Sequence, residues 1–248
     1  MREALYRRRW MGFALAWSYK GKGDAGMIRG VLFDMDGVLT DTENLCSTLL
    51  PQVMARYGYD FPPQLYTRIL GCTHQMSARI LKEVYGADFP HDVIMTETFG
   101  EMTALALKGK LPLKPGMRAC IDGLKARGIR RALATSSKRE TVDAYLQGTP
   151  EMRDAFDAIV CGVEAGRGKP APDIYLEAAR RLGLEAQACL GVEDSRYGLQ
   201  SLTAAGCTSV MIPDLLPFGA ELAPYVSFRL DGLEELCGLI DRLNGAQR

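Results

Sequence analysis

Asp34 and Asp36, one residue apart in Asp34-Met35-Asp36-Gly37-Val38-Leu39-Thr40-Asp41-Thr42-Glu43, form the densest concentration of chemistry-bearing side chains in this chain. They follow Ile28-Arg29-Gly30-Val31-Leu32-Phe33, an apolar run rich in strand formers that reads as a buried strand ending at Asp34. Carboxylates at the end of such a strand repel each other and lose hydration, so they require a cation or a shared proton. A hard divalent ion meets that requirement. Magnesium takes oxygen ligands, keeps several waters and commonly uses a few carboxylates together with phosphate oxygens. Gly37 allows the chain to turn sharply after the pair. By residue type alone, the same four residues also fit a calcium-loop fragment or a surface turn.

Four further runs have strand character: IRRALAT (129–135), FDAIVC (156–161), ACLGVED (188–194) and TSVMI (208–212), separated by helix-like or loop segments. Strands alternating with helices predict right-handed crossovers and a mostly parallel, doubly wound α/β sheet with helices on both faces. Ligands of such sheets bind outside the carboxyl ends of the strands. Three runs end in polar residues there: Asp34 with Asp36, Thr135 with Ser136, and Glu193 with Asp194. Lys169, between Gly168 and Pro170, is a lone lysine held in direction by a short loop, and KPAPD then opens a helix. Asp194-Ser195 also fits the cap of a helix running to about Ala205.

Between Asp41 and Ile129 the alternation stops. Stretches 45–57, 64–70, 74–85 and 91–108 read as helices, punctuated by Gly58, Phe61-Pro62-Pro63, Gly71 and Pro90. Residues 46–112 are therefore expected to form a helical cap inserted into a core made of 27–45 and 113–248, rejoined through Pro112 and Pro115-Gly116. Residues 1–26 carry a basic head and a short apolar run bracketed by Trp10 and Trp17, without a clean small-x-small cleavage site. They read as a flexible extension, with Met27 opening the folded part.

An apolar content of 47% and a charged content of 24% place the chain among ordinary globular proteins. Thirty basic residues balance thirty acidic ones, which leaves no net charge to attract nucleic acid or an anionic membrane. The extension holds six basic residues against two acidic, so the remainder is acidic, as suits a site built from carboxylates. No apolar stretch approaches the roughly 20 residues of a membrane-spanning helix. Seven scattered cysteines without a CxxC pair imply reduced thiols and a cytoplasmic location, and none is assigned a catalytic role.

Residues 27–230 resemble the haloacid dehalogenase superfamily of phosphatases and mutases, in the helical-cap branch with β-phosphoglucomutase-like and sugar-phosphatase members. Four motifs carry the resemblance in order: FDMDGVLTDTE, LATSS, GKPAPD and GVEDS. It implies a Rossmann-like core in which Asp34 attacks phosphorus and Asp36 acts as general acid, then base. It assigns Thr135 to the phosphoryl oxygens, with Ser136 offering a backbone N–H, and makes Lys169 the charge-neutralising group. Magnesium would be held by Asp34, Asp36 through its backbone carbonyl, and Asp194, with Glu193 a ligand or one water away. Leu70-Gly71-Cys72-Thr73-His74-Gln75 resembles the cap loop that meets the substrate, nominating His74, Gln75 and Thr73, whereas His91 reads as structural.

The implied substrate is a small phosphorylated metabolite, such as a sugar phosphate. Asp36 separates the chain from dehalogenase-type members, which lack an acid there. Lys82 and Lys108 lack the context of the Schiff-base lysine in phosphonate-cleaving members. Mutases of this branch carry a histidine where this chain has Cys46, a departure that favours hydrolysis over phosphoglucomutase-like transfer. A non-catalytic module of the same fold would be expected to have lost one of Asp34, Asp36, Lys169 and Asp194, and all are present.

Overall fold

The computed structural model describes residues 27–70, 72 and 74–245. The expected extension over 1–26 and the candidate Thr73 lie outside the described residues. In chain order the elements are β1 (Gly30–Phe33), helices α1 (Thr42–Arg56), α2 (Pro63–Ile69), α3 (His74–Tyr85), α4 (His91–Leu107) and α5 (Met117–Ala126), then β2 (Arg130–Thr135). They continue with α6 (Arg139–Gly148), α7 (Pro150–Arg153), β3 (Ala158–Cys161), α8 (Asp173–Arg181), β4 (Cys189–Glu193), α9 (Arg196–Ala205), β5 (Thr208–Met211), β6 (Phe228–Arg229) and α10 (Leu236–Gly245).

All strand pairs are parallel and the sheet order is β3-β2-β1-β4-β5-β6. Alternating side chains of β1 explain the double winding. Val31 and Phe33 enter the core shared with α5, α6 and α10, while Leu32 enters the opposite core, built on Tyr175 and Ala178 of α8 and Leu202 of α9. After β1 the chain builds β2 and β3 outward on one side, then returns to lay β4 against β1's other edge. The winding therefore reverses between β1 and β4, and a ligand crevice is expected at their carboxyl ends. The two-residue β6, paired with Val210 and Met211, was not expected from sequence because it is too short to show alternation.

Helices α1 to α4 interrupt the alternation as expected and have a core of their own, including Leu50, Val53 and Met54 of α1, Leu81 of α3 and Ile94 of α4. Burying each such side chain contributes about 2 kcal/mol. The first of these helices begins at Thr42 rather than near 45. Its Thr42 hydroxyl donates to Asp36 Oδ1 at 2.6 Å, which ties the helix start to the loop after β1. The two chain crossings run side by side: Asp41 N donates to the Pro112 carbonyl at 2.8 Å and Lys114 N to the Leu39 carbonyl at 2.9 Å. Among the described residues no helix is long and apolar enough to cross a membrane. The seven cysteines are free thiols.

Candidate active site

Asp34 is the first residue beyond β1, and its backbone N–H donates to the Val192 carbonyl of β4 at 3.0 Å, so it stands where the winding reverses. Lys169, in the loop before α8, donates through Nζ to Asp34 Oδ1 at 2.6 Å, to Glu193 Oε1 at 2.7 Å and to the Ala134 carbonyl at 3.3 Å. The ammonium also lies 5.0 Å from the centre of the Tyr175 ring, whose hydroxyl donates to Glu193 Oε1 at 2.6 Å. The other Glu193 oxygen accepts from the Asp194 and Ser195 backbone N–H groups and from the Ser195 hydroxyl, at 2.9–3.2 Å. Both carboxylate oxygens of Glu193 are thus engaged by the protein. This requires Gly198 in the first turn of α9, since a Cβ there would overlap the Glu193 carboxylate. Ser195 does two jobs, because its Oγ also accepts from Gly198 N at 3.1 Å and caps α9.

Asp36 points differently. Oδ1 accepts from Thr42 and Oδ2 accepts from the Ser137 hydroxyl at 2.9 Å. Ser137 in turn donates its backbone N–H to Thr135 Oγ1 at 3.1 Å, which couples the end of β2 to the second carboxylate. Thr135 is buried and Ser136 is exposed at the mouth of the same turn.

Burial governs the electrostatics. It pushes Asp34 up to about 7, a rise that Lys169 opposes and that Glu193 and Asp36 reinforce. It also raises Asp36, against the bonds from Thr42 and Ser137 and the charge of Lys169. Asp194 is driven well above the usual carboxylate range by burial, then by Glu193, Asp34, Glu43 and Asp214. Burial pushes Glu193 up too, but Lys169, Tyr175 and Ser195 outweigh it and hold this carboxyl below its usual value. Lys169 is likewise disfavoured by burial, yet Asp34 and Glu193 hold its ammonium above the lysine range.

Ligand oxygens of Asp34, Glu193 and Asp194 all lie within 4.8 Å of one another. Both oxygens of Glu193 are committed to protein donors, so Asp34 and Asp194, which resist ionising, are the carboxylates of this cluster that a small hard cation fits.

The structure thus brings Asp34, Lys169, Glu193 and Asp194 into one cluster and sets Asp36, Thr135 and Ser137 beside it. His74 and Gln75 are exposed at the start of α3. His74 Nε2 lies 2.9 Å from Asp92 Oδ1 and its ring packs on His91, contacts made within the helical insertion. His91 is buried against Ser77, in keeping with a structural role. Cys46 carries a thiol pushed up to about 12 by burial and Glu43, so it remains protonated near neutral pH. Sequence reasoning missed Ser137, although it is the last hydroxyl of the Thr135-Ser136-Ser137 run, and Thr42, which lies inside the first motif. It also missed Tyr175, for which a tyrosine on an apolar helix face gives no signal.

The sequence profile of the haloacid dehalogenase-like hydrolases matches residues 28–206. The chain belongs to that family. Protein CbbY of Rhodobacter capsulatus is 34% identical over 194 residues, covering 75% of this chain and 86% of that protein. The phosphorylated carbohydrates phosphatase of Thermotoga maritima is 31% identical over 180 residues, covering 72% of this chain and 82% of that one. The crystal structure of CbbY from Rhodobacter sphaeroides in complex with phosphate superposes with a TM-score of 0.72 at 31% identity, covering 85% of this chain and 96% of that one. As a haloacid dehalogenase-like hydrolase with such relatives, the chain is an enzyme of the phosphatase type. All four motifs read from the sequence fall inside the matched residues.

Proposed function

We propose that the protein is a magnesium-dependent phosphatase that hydrolyses a small phosphate monoester, of the sugar-phosphate class, through an aspartyl-phosphate on Asp34. The observation that carries this reading is the pairing of a buried carboxylate, bonded to Lys169 at 2.6 Å, with a second carboxyl held by Thr42 and Ser137 at the same strand end. An Asp34 oxygen attacks phosphorus, and the bond from phosphorus to the ester oxygen breaks. Asp36, whose raised pKa favours the protonated form, gives its proton to the leaving oxygen. Asp36 then takes a proton from the water that attacks the phosphoryl group, and Asp34 leaves with both of its oxygens restored. Thr135 and the Ser136 backbone N–H bind phosphoryl oxygens, and Lys169 offsets the charge that accumulates on them. Asp34, the Asp36 backbone carbonyl and Asp194 would hold magnesium, which when bound supplies positive charge against the phosphate. Glu193, with both oxygens taken, acts by fixing Lys169 and the Asp194 backbone. His74 and Gln75 are proposed as substrate contacts from the inserted helices, spanning 46–112, that form the cap. Seven free thiols support a reducing, cytoplasmic setting.

The test is phosphate release from a panel of phosphorylated metabolites, with and without magnesium, alongside conversion of β-glucose 1-phosphate. Magnesium-dependent phosphate release without isomerised product is expected. Isomerisation without release would replace the reading by phosphoglucomutase-like transfer, and inertness toward the whole panel would favour a non-catalytic module. Asp36→Asn sharpens the assignment of acid and base. It is expected to slow alkyl phosphates by about 10²–10⁴-fold. The first step with p-nitrophenyl phosphate, whose phenolate leaves without a proton, should be slowed far less, so single-turnover phosphoenzyme formation survives. Equal losses with both leaving groups would remove Asp36 from the acid role.

A further inference from the structure

Asp214 follows β5 at the carboxyl edge of the sheet, beyond the residues that match the family profile. Its side chain is only 6% exposed. Oδ1 accepts from Lys114 Nζ at 2.5 Å, and the same ammonium donates to Asp41 Oδ1 at 2.7 Å. Oδ2 is different. Among the described residues, it and Thr149 Oγ1 are the buried side-chain atoms with no hydrogen-bond partner. An ionisable oxygen withdrawn from water without a donor is costly, and its persistence points to a donor supplied from outside the chain.

That oxygen faces Gly37, which has a φ of +77°. A Cβ at residue 37 would stand 3.2 Å from Asp214 Oδ2 and would overlap Asp194 Oδ2. The two carboxylate oxygens therefore converge on the space left by a residue without a side chain, one residue past Asp36. Asp214 is not part of the group formed by Asp34, Glu193 and Asp194, whose ligand atoms gather within 4.8 Å of one another. It stands one step further out. Magnesium characteristically keeps several of its waters, each with protons to donate. Acceptors in that outer layer orient the ion and tune its affinity. Glu193 cannot serve, because donors of the protein already occupy both of its oxygens.

We propose that Asp214 Oδ2 accepts a hydrogen bond from a water on the divalent cation, so that Asp214 is a positioning residue of the metal site, locked in place by Lys114. The proposal rests on the phosphatase reading above. It makes Lys114 a strut: by holding Oδ1, it leaves Oδ2 facing the acidic centre. It also joins the metal site to Asp41, at the first crossing into the helical insertion, through a single ammonium.

The test is calorimetric titration of magnesium into metal-free protein, without substrate, for the wild type and for Asp214→Asn, Asp41→Asn and Asp194→Asn. Asp214→Asn is expected to raise Kd by about tenfold or more. Asp41→Asn, which removes a charge from the same lysine but no acceptor facing Gly37, should leave Kd within about twofold. An unchanged Kd for Asp214→Asn overturns the proposal, as does equal weakening by Asp41→Asn, which would reduce the effect to general charge. Failure of the wild type to bind magnesium, or undiminished binding by Asp194→Asn, would instead overturn the phosphatase reading. Far-ultraviolet circular dichroism checks that each variant is folded. Asp214→Ser carries the same comparison if the Asn variant does not fold.

Discussion

Asp34→Asn is expected to lower kcat by about 10⁴-fold or more and to abolish covalent labelling of the protein by phosphate. A residue that forms the covalent bond cannot be bypassed by the groups that merely assist it. Asn fills the same volume and can accept from Lys169, so the fold should survive. Activity within about tenfold of wild type would remove Asp34 from the mechanism. The same variant tests the electrostatics of the metal-free protein. Burial raises the Asp34 carboxyl from 3.8 to about 7, so between those values the folded state binds a proton that the unfolded chain has released. Stability from this group is thus fully present below about 4 and is lost as pH climbs toward 7. Asn does not titrate. The melting temperature of Asp34→Asn relative to wild type, measured in chelator, should therefore rise across that window. A flat difference would mean that Asp34 is ionised throughout.

Lys169→Met is expected to be the most damaging substitution for activity and stability together. The ammonium touches Asp34 and Glu193 and is itself almost fully buried, so methionine of similar length would leave two buried carboxylates facing no cation. Breaking such a pair from one side costs about 3–5 kcal/mol, mostly from the charge left unpaired. Loss of a group that meets developing phosphoryl charge should lower kcat by about 10²–10³-fold in addition. The stability deficit depends on pH, and its sign follows from Glu193. Burial would raise that carboxyl, but Lys169 and the other donors hold it below 4.5, so its contribution is present above that value and lost as pH falls through the lower folded value. Chemical denaturation should show the Lys169→Met deficit greatest near neutrality and shrinking below about pH 4. A deficit independent of pH would mean that the lysine stabilises by packing alone.

Much of this architecture was readable from local pattern. The runs around 28–33, 129–135, 188–194 and 208–212 appear as strands close to their expected bounds, because a strand buried on both faces writes a continuous apolar run into its own sequence. The helices over 74–85 and 91–107 were equally visible. Thr42 was missed as a helix start because its hydroxyl is committed to Asp36, a contact that no periodicity reports. His74 was singled out by its neighbours in a loop motif, whereas its ring is engaged by His91 and Asp92 across a helix boundary. Tyr175 sits on an ordinary apolar face of α8, and only the arrival of β4 turns its hydroxyl into a partner of Glu193.

Sequence alone therefore nominated the residues proposed to carry the chemistry, and it determined the alternating order of strands and helices and where a helical segment interrupts them. Each of these is a property of short stretches, set by side-chain type, hydrophobic period and turn residues. Tertiary structure decided which strands became neighbours, and with that which charges meet. Lys169 reaches Asp34 across 135 positions of chain, and Asp214 brings an oxygen with no partner among the described residues to the Gly37 turn only because β5 lies beside β4. Burial then did what composition cannot express: it removed water from carboxylates that would otherwise ionise normally, raising Asp34, Asp36 and Asp194 while Lys169 held Glu193 down.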